Sequence, residues 1–133
     1  REFLHVDDLA DACVMLLNLD NPPDLVNLGS GEEVTIAELA NIVAETVGYR
    51  GEITRDLSKP DGTPRKLCDT SLLRSLGWKP KYDIRSGVAA AYKSFLRELS
   101  DGTMRNKLYA PFGLGIFRGL PTGRFFCFEH SFL

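Results

Sequence analysis

Three cations and one carboxylate are concentrated in residues 59–66, whose two prolines and one glycine restrict the backbone. The cations are Lys59, Arg65 and Lys66, and the carboxylate is Asp61. Proline fixes φ and drives the preceding residue toward extended conformations, so such a loop loses little entropy when it closes around an anion. Arginine grips two phosphate oxygens through parallel N–H bonds, and lysine adds a point charge. The segment therefore predicts a loop that holds a phosphorylated ligand, with Asp61 accepting from a sugar hydroxyl; a solvated basic turn is the alternative.

The composition favours a soluble protein with one modest core. The chain has 133 residues, is 44% hydrophobic and carries a net charge of −2, which argues against a nucleic-acid partner. No run approaches the roughly 20 apolar residues of a membrane span, and no apolar signal segment is visible, so we expect a cytoplasmic protein. Cys13, Cys68 and Cys127 have no short-spaced partner, which predicts reduced thiols and neither a metal site nor a disulfide framework.

Apolar residues at helical spacing predict a first helix, capped by Asp7 or Asp8 and ending near Asp20. The next apolar run, 25–28, predicts a short buried strand. It is followed by a turn and then by a second helical pattern. Strands that alternate with helices indicate an α/β or α+β unit.

Thr35 and Glu38 form a T-x-x-E capping box ahead of the second helical pattern, and Gly48 supplies its stop. Three further elements are predicted: a strand at 52–56, a short helix at 70–76 and an amphipathic helix at 88–99.

Several groups that resemble catalytic or cofactor sites are better interpreted as structural. The turn 29–31 has two glycines, but Glu32 and Glu33 follow it and would repel a pyrophosphate, so it is not expected to bind a dinucleotide. His5 lies in an apolar run and is predicted to be a structural histidine. Trp78 is predicted to pack in the core. No tyrosine has a lysine four residues later, so no catalytic residue is assigned.

Residues 101–133 differ in character from the rest of the chain. They contain six of the eight phenylalanines and follow no sustained helical or strand period. We therefore divide the chain into a unit at 1–100 and an unmatched Phe/Gly-rich tail at 101–133. The tail is expected to be disordered or a non-native C-terminus, with a functional binding arm as the alternative.

Four blocks carry a family resemblance: REFLHVDDLA at 1–10, NLGSGEEVTI at 27–36, SKPDGTPRK at 58–66 and LGW at 76–78. Together they resemble the C-terminal part of the GDP-L-fucose synthase family, within the extended short-chain dehydrogenase/reductase superfamily. The first two blocks occur across that superfamily, whereas the third is much more particular to the synthases. The similarity covers residues 1 to about 99.

The resemblance implies the C-terminal substrate-binding part of a Rossmann-type α/β fold, a small mixed α+β unit without the nucleotide-binding part. Such enzymes epimerise GDP-4-keto-6-deoxy-D-mannose at C3 and C5 and reduce C4 with NADPH. Arg1, Asp61 and Lys66 match the GDP-sugar site, and Arg65 and Lys59 are assigned supporting roles. NADPH would bind mainly the N-terminal part of such an enzyme, which is usually a homodimer.

The family's reduction and epimerisation residues would all precede Arg1, so this chain alone is expected to be inactive. Two alternatives remain open from the sequence. One is a truncated, non-catalytic nucleotide-sugar-binding fragment. The other is part of a related epimerase or dehydratase that uses UDP- or dTDP-sugars.

Overall fold

The computed structural model describes residues 1–58, 60 and 62–103, together with the backbone of 124–126. In chain order the elements are α1 (Val6–Leu17), α2 (Ile36–Val47), β1 (Glu52–Thr54), α3 (Ser71–Ser75), α4 (Ile84–Asp101) and β2 (Arg124–Phe126). Strands β1 and β2 pair in parallel, with Ile53 opposite Phe125. Within the described ranges, no helix has the length and apolar character needed to cross a membrane.

The start of α1 differs from the prediction. Its N-cap is His5, whose Nδ1 accepts from the main-chain nitrogen of Asp7 at 3.2 Å, so neither Asp7 nor Asp8 caps the helix. Both carboxylates instead lie in the first turn, where negative charge complements the helix dipole. The helix ends at Leu17, with Asn18 as its C-cap, three residues before Asp20.

Asp8 has a long-range partner that the sequence did not reveal. The residue is 1% exposed, and its carboxylate oxygens accept from the main-chain nitrogens of Lys81 and Tyr82, each at 3.0 Å. A buried carboxylate is tolerated only when such donors replace its lost hydration. Asp8 thereby joins α1 to the segment that leads into α4.

The second helix confirms the predicted capping box. Thr35 accepts from the main-chain nitrogen of Glu38 at 3.1 Å, and the Glu38 carboxylate accepts in return from the main-chain nitrogen of Thr35 at 2.8 Å. Gly48 ends the helix in the left-handed region, at φ 72°. Each of these features is determined by neighbouring residues alone.

The predicted strand at 25–28 is wrong: in the described structure this segment belongs to no sheet. Its side chains still alternate, with Val26 and Leu28 packed on the core and Leu25 exposed. The alternation therefore reflects one-sided burial rather than ladder hydrogen bonding. The predicted strand at 52–56 is present but shorter, and the last helix begins at Ile84, with Asp83 as its N-cap.

The core is small. Ala12, Leu73 and Trp78 form its buried centre, and four partly buried residues pack against it: Leu4, Met15, Val26 and Leu28. Trp78 is 4% exposed and donates through Nε1 to Asp11 at 3.2 Å, which confirms its predicted packing role. Asp11 also accepts from the Lys81 ammonium at 2.9 Å, so it joins α1 both to Trp78 and to the segment before α4.

Most of the predicted tail, residues 104–123 and 127–133, lies outside the described residues. The division at residue 100 therefore stays a prediction. Helix α4 runs through this proposed boundary to Asp101, with Gly102 as its left-handed C-cap.

Candidate anion-binding site

The site is built on a short pairing between the first residues of the chain and the segment before α2. The main-chain nitrogen of Arg1 donates to the Val34 carbonyl at 2.7 Å, and the Val34 nitrogen donates back to the Arg1 carbonyl at 2.9 Å. Glu2 and Glu33 form an isolated antiparallel bridge beside this pair. The pairing places Arg1 next to the carboxylates that follow the glycine turn.

The Arg1 side chain reaches the predicted ligand loop. Its Nη1 donates to the carbonyl of Thr63, 62 residues later in the chain. The structure thus brings together Arg1 and the 62–66 segment, two features that sequence reasoning treated separately before the family resemblance joined them. Lys59 and Asp61, the other two predicted site residues in this loop, lie outside the described residues.

Arg65 is already paired in this structure. Its Nε donates to both oxygens of Glu33, at 3.1 and 2.9 Å, and its Nη2 lies 2.7 Å from Oε2. The hydrogen bonds from Arg65 lower the pKa of the Glu33 carboxyl, and those same bonds raise the pKa of the Arg65 guanidinium. A phosphate must therefore share or displace Glu33 to reach Arg65. Sequence reasoning considered Glu33 only as a group that repels phosphate.

Lys66 is exposed and stands at the edge of a shallow groove of about 500 Å³. The groove has a mainly apolar lining made by Glu2, Leu4, Leu28, Gly29, Lys66, Leu67 and Cys68. A lysine at the rim of such a surface keeps its ammonium in water and available to an anion while its stem covers apolar atoms.

Glu2 lines the same groove, and its carboxylate accepts from two main-chain nitrogens. Oε1 accepts from Gly31 at 2.7 Å, and Oε2 accepts from Cys68 at 2.8 Å. A Cβ atom built on Gly29 would lie 2.4 Å from Oε1, so only glycine permits this approach. Desolvation and then the Glu2 charge raise the pKa of the Cys68 thiol. The sequence analysis did not identify Glu2 as a site residue, and the glycine at 29 is the only indirect signal of its position.

The Glu2 carboxylate also bears on the turn 29–31, which was not expected to bind a dinucleotide. In a phosphate-binding turn the glycine amides point at the ligand. Here the Gly31 amide donates a hydrogen bond to Glu2, and the same carboxylate lies against Gly29. The turn therefore differs from a phosphate-binding turn at the Gly31 amide, and its lack of a dinucleotide role stays a prediction.

His5 has a structural environment, as predicted. Its Nδ1 accepts the cap bond of α1, and its ring stacks on Tyr82 with centroids 4.1 Å apart. Both residues line a larger concavity, an open depression of about 1190 Å³ along α4. That depression is lined by three other cations, Lys81, Lys93 and Arg97, and by none of the predicted ligand-binding residues. We place the site at the smaller groove because Lys66 lines it, and because Arg1 and Arg65 directly precede its lining residues Glu2 and Lys66.

Chemically, the arrangement is suited to binding. It combines three cations with a rigid backbone frame and an apolar surface. No group of three or more possible metal ligands occurs among the described residues. Cys13 and Cys68 are free and exposed, and Cys127 is outside the described part.

Known proteins resemble this chain clearly. GDP-L-fucose synthase 1 of Arabidopsis thaliana is 57% identical over 99 residues, which is 74% of this chain and 31% of the relative. GDP-L-fucose synthase of Escherichia coli is 45% identical over 105 residues, covering 72% of this chain and 33% of the relative. The chain is homologous to part of the GDP-L-fucose synthases. It thus spans about a third of the length of these synthases.

The chain is also similar in structure to a solved protein. A GDP-6-OMe-4-keto-L-xylo-heptose reductase from C. jejuni superposes with a TM-score of 0.63 and 32% identity, over 74% of this chain and 31% of the reductase. No family model matches the chain.

Proposed function

We propose that this chain is the GDP-sugar-binding portion of an NADPH-dependent epimerase-reductase that converts GDP-4-keto-6-deoxy-D-mannose to GDP-L-fucose. Arg1 and Lys66 neutralise the diphosphate, and Arg65 and Lys59 support them. Asp61 accepts from a sugar hydroxyl. In this proposal the unit belongs to an extended short-chain dehydrogenase/reductase fold in a cytoplasmic homodimer.

One observation carries the proposal: the Arg1 guanidinium is hydrogen bonded to the Thr63 carbonyl. The contact joins the two sequence blocks that the resemblance assigns to one substrate. Two guanidinium groups and an ammonium arranged on these paired segments suit a diphosphate, because charge-assisted hydrogen bonds to phosphate are stronger than neutral ones.

NADPH is the reductant that the resemblance implies for the longer enzyme. The turn 29–31 is not suited to bind the NADPH pyrophosphate, because the Glu2 carboxylate already accepts the hydrogen bond of the Gly31 amide and lies against Gly29. We therefore assign NADPH mainly to the N-terminal portion of the full-length fold, together with the reacting residues. The chain by itself is then inactive, and turnover of the keto-sugar with NADPH by the purified 133 residues would contradict this assignment.

GDP is favoured over UDP because both synthase relatives and the solved reductase carry GDP in their names. The test is calorimetric titration of the 133-residue chain with GDP and with UDP at one ionic strength. We expect GDP to bind more tightly. Equal or tighter binding of UDP would favour the related UDP-sugar enzymes instead.

The same titration tests the assigned cation. Lys66→Ala is expected to weaken GDP binding about tenfold, since a charge-assisted contact to phosphate is lost. Lys79→Ala removes the same charge from another exposed position, outside the groove residues, and serves as the matched control. Equal losses in the two variants would mean that only net charge matters and would overturn the assignment.

A further inference from the structure

The Glu2 carboxylate bridges two loops at the candidate site. It accepts from the main-chain nitrogens of Gly31 and Cys68, which lie 29 and 66 residues away in sequence. A carboxylate that binds main-chain donors restrains the path of the backbone itself. The segment 66–69 has one further restraint of this kind: Asn27 donates through Nδ2 to the Asp69 carbonyl at 3.2 Å.

One restrained loop carries an assigned cation, and Glu2 itself adjoins another. Lys66 is two residues before Cys68, and Arg1 directly precedes Glu2. We propose that Glu2 is a positioning residue of the anion site, whose carboxylate fixes the course of the 66–68 segment and thereby the location of Lys66. The proposal rests on the proposed function and deepens it.

Simple electrostatics makes the opposite prediction for this residue. A negative charge beside an anion site repels the ligand, so its removal would raise ligand affinity. A positioning role predicts that removal lowers affinity, because Lys66 loses its fixed location. The sign of the change therefore separates the two roles.

Glu2→Gln is the suitable variant because it keeps the side-chain shape. A glutamine has one acceptor oxygen, and its NH₂ group cannot accept, so one of the two main-chain donors loses its partner. Hydrogen exchange followed by NMR then reads the loops directly, without any ligand. We expect exchange of the Cys68 or the Gly31 amide to accelerate about tenfold or more, with α2 amides unchanged. Unchanged exchange at both amides would overturn the proposal.

A double-mutant cycle tests whether Glu2 acts through Lys66. We expect Glu2→Gln to weaken GDP binding about fivefold in the native background and less than about twofold in the Lys66→Ala background. A purely structural loss would weaken binding by the same factor in both backgrounds. Equal factors, or a gain of affinity, would overturn the proposal.

Glu32→Gln is the charge-matched control, since it removes an exposed carboxylate from the same turn region. It is expected to leave both amide exchange rates unchanged and to raise GDP affinity slightly. If the native chain does not bind GDP at all, the proposed function fails. The exchange measurement then still decides whether Glu2 fixes the loop.

Discussion

Arg65 and Glu33 form a bidentate ion pair across 32 residues of sequence, with Nη2 and Oε2 2.7 Å apart. The pair holds the ligand loop against the segment that precedes α2. It also competes with any phosphate for the same guanidinium. Binding of a diphosphate at this site is therefore expected to depend on how firmly Glu33 retains Arg65.

Replacing Glu33 by glutamine is expected to increase GDP affinity about threefold, since exposed ion pairs contribute little and are easily exchanged. The variant both frees Arg65 and removes a repelling charge. The control is Glu45→Gln, which breaks the similar Arg85–Glu45 pair, also 2.7 Å long and exposed, on α2 and α4. A fall in GDP affinity for Glu33→Gln, with none for Glu45→Gln, would contradict the competition between Glu33 and phosphate.

The same pair predicts a dependence on pH. Hydrogen bonds from Arg65 lower the pKa of Glu33, so its folded-state pKa lies below its unfolded value. The pair's contribution to folding is therefore present above the unfolded pKa and is lost as pH falls through the folded one. A carboxyl carbon titration by NMR is expected to give a Glu33 pKa below the ordinary glutamate value, and Arg65→Ala should raise it. An identical pKa in both proteins would contradict the geometry.

Leu73 and Leu72 are a matched pair for testing the core. Leu73 is 0% exposed in the buried centre, whereas Leu72 is 43% exposed on the same short helix. Leu73→Ala is expected to lower the free energy of unfolding by about 2–5 kcal/mol, because it opens a cavity, and Leu72→Ala by less than about 1 kcal/mol. Urea unfolding followed by circular dichroism measures both. Equal losses would mean that Leu73 is not at the centre of the core.

Gly31 and Gly48 both have a left-handed backbone, but only Gly31 is crowded, so alanine substitution at the two positions distinguishes backbone strain from steric crowding. Gly31 has φ 75° and Gly48 has φ 72°. A Cβ at Gly31 would lie 2.5 Å from Arg74 Nη2 and 2.9 Å from Thr70 Oγ1, whereas a Cβ at Gly48 would meet no described atom within 4 Å. Alanine at either position costs about 1–2 kcal/mol in strain. Gly31→Ala should cost about 1 kcal/mol more in urea unfolding, because buried Thr70 must move. A smaller loss at Gly31 than at Gly48 would contradict the packing described.

The sequence predicted those features that depend on close neighbours. The Thr35–Glu38 capping box and the Gly48 stop are local hydrogen-bonding patterns, and both are confirmed. The strand at 25–28 was wrong because alternation reports which side is buried and not whether a partner strand supplies hydrogen bonds. The predicted cap of α1 was wrong because the Asp8 carboxylate instead accepts hydrogen bonds from the distant main-chain amides of Lys81 and Tyr82.

At the candidate site, too, local sequence features were predictable and long-range contacts were not. The clustered cations and the prolines of 59–66 predicted a ligand loop, and its role stays a prediction. The carboxylates that arrange it, Glu2 and Glu33, act across 66 and 32 residues respectively, and no short-range pattern signals such contacts. Glycine at 29 was the one indirect signal, since it marks a close approach of another group to the backbone.

The central claim is that GDP binds beside Arg1 and Lys66 and not in the larger depression along α4. The most direct measurement is amide NMR of the labelled 133-residue chain during addition of GDP. The account predicts that shifts concentrate at Glu2 and 62–68, with little change at Tyr82 or Lys93. Shifts concentrated at Tyr82 and Lys93, or none anywhere at millimolar GDP, would contradict it.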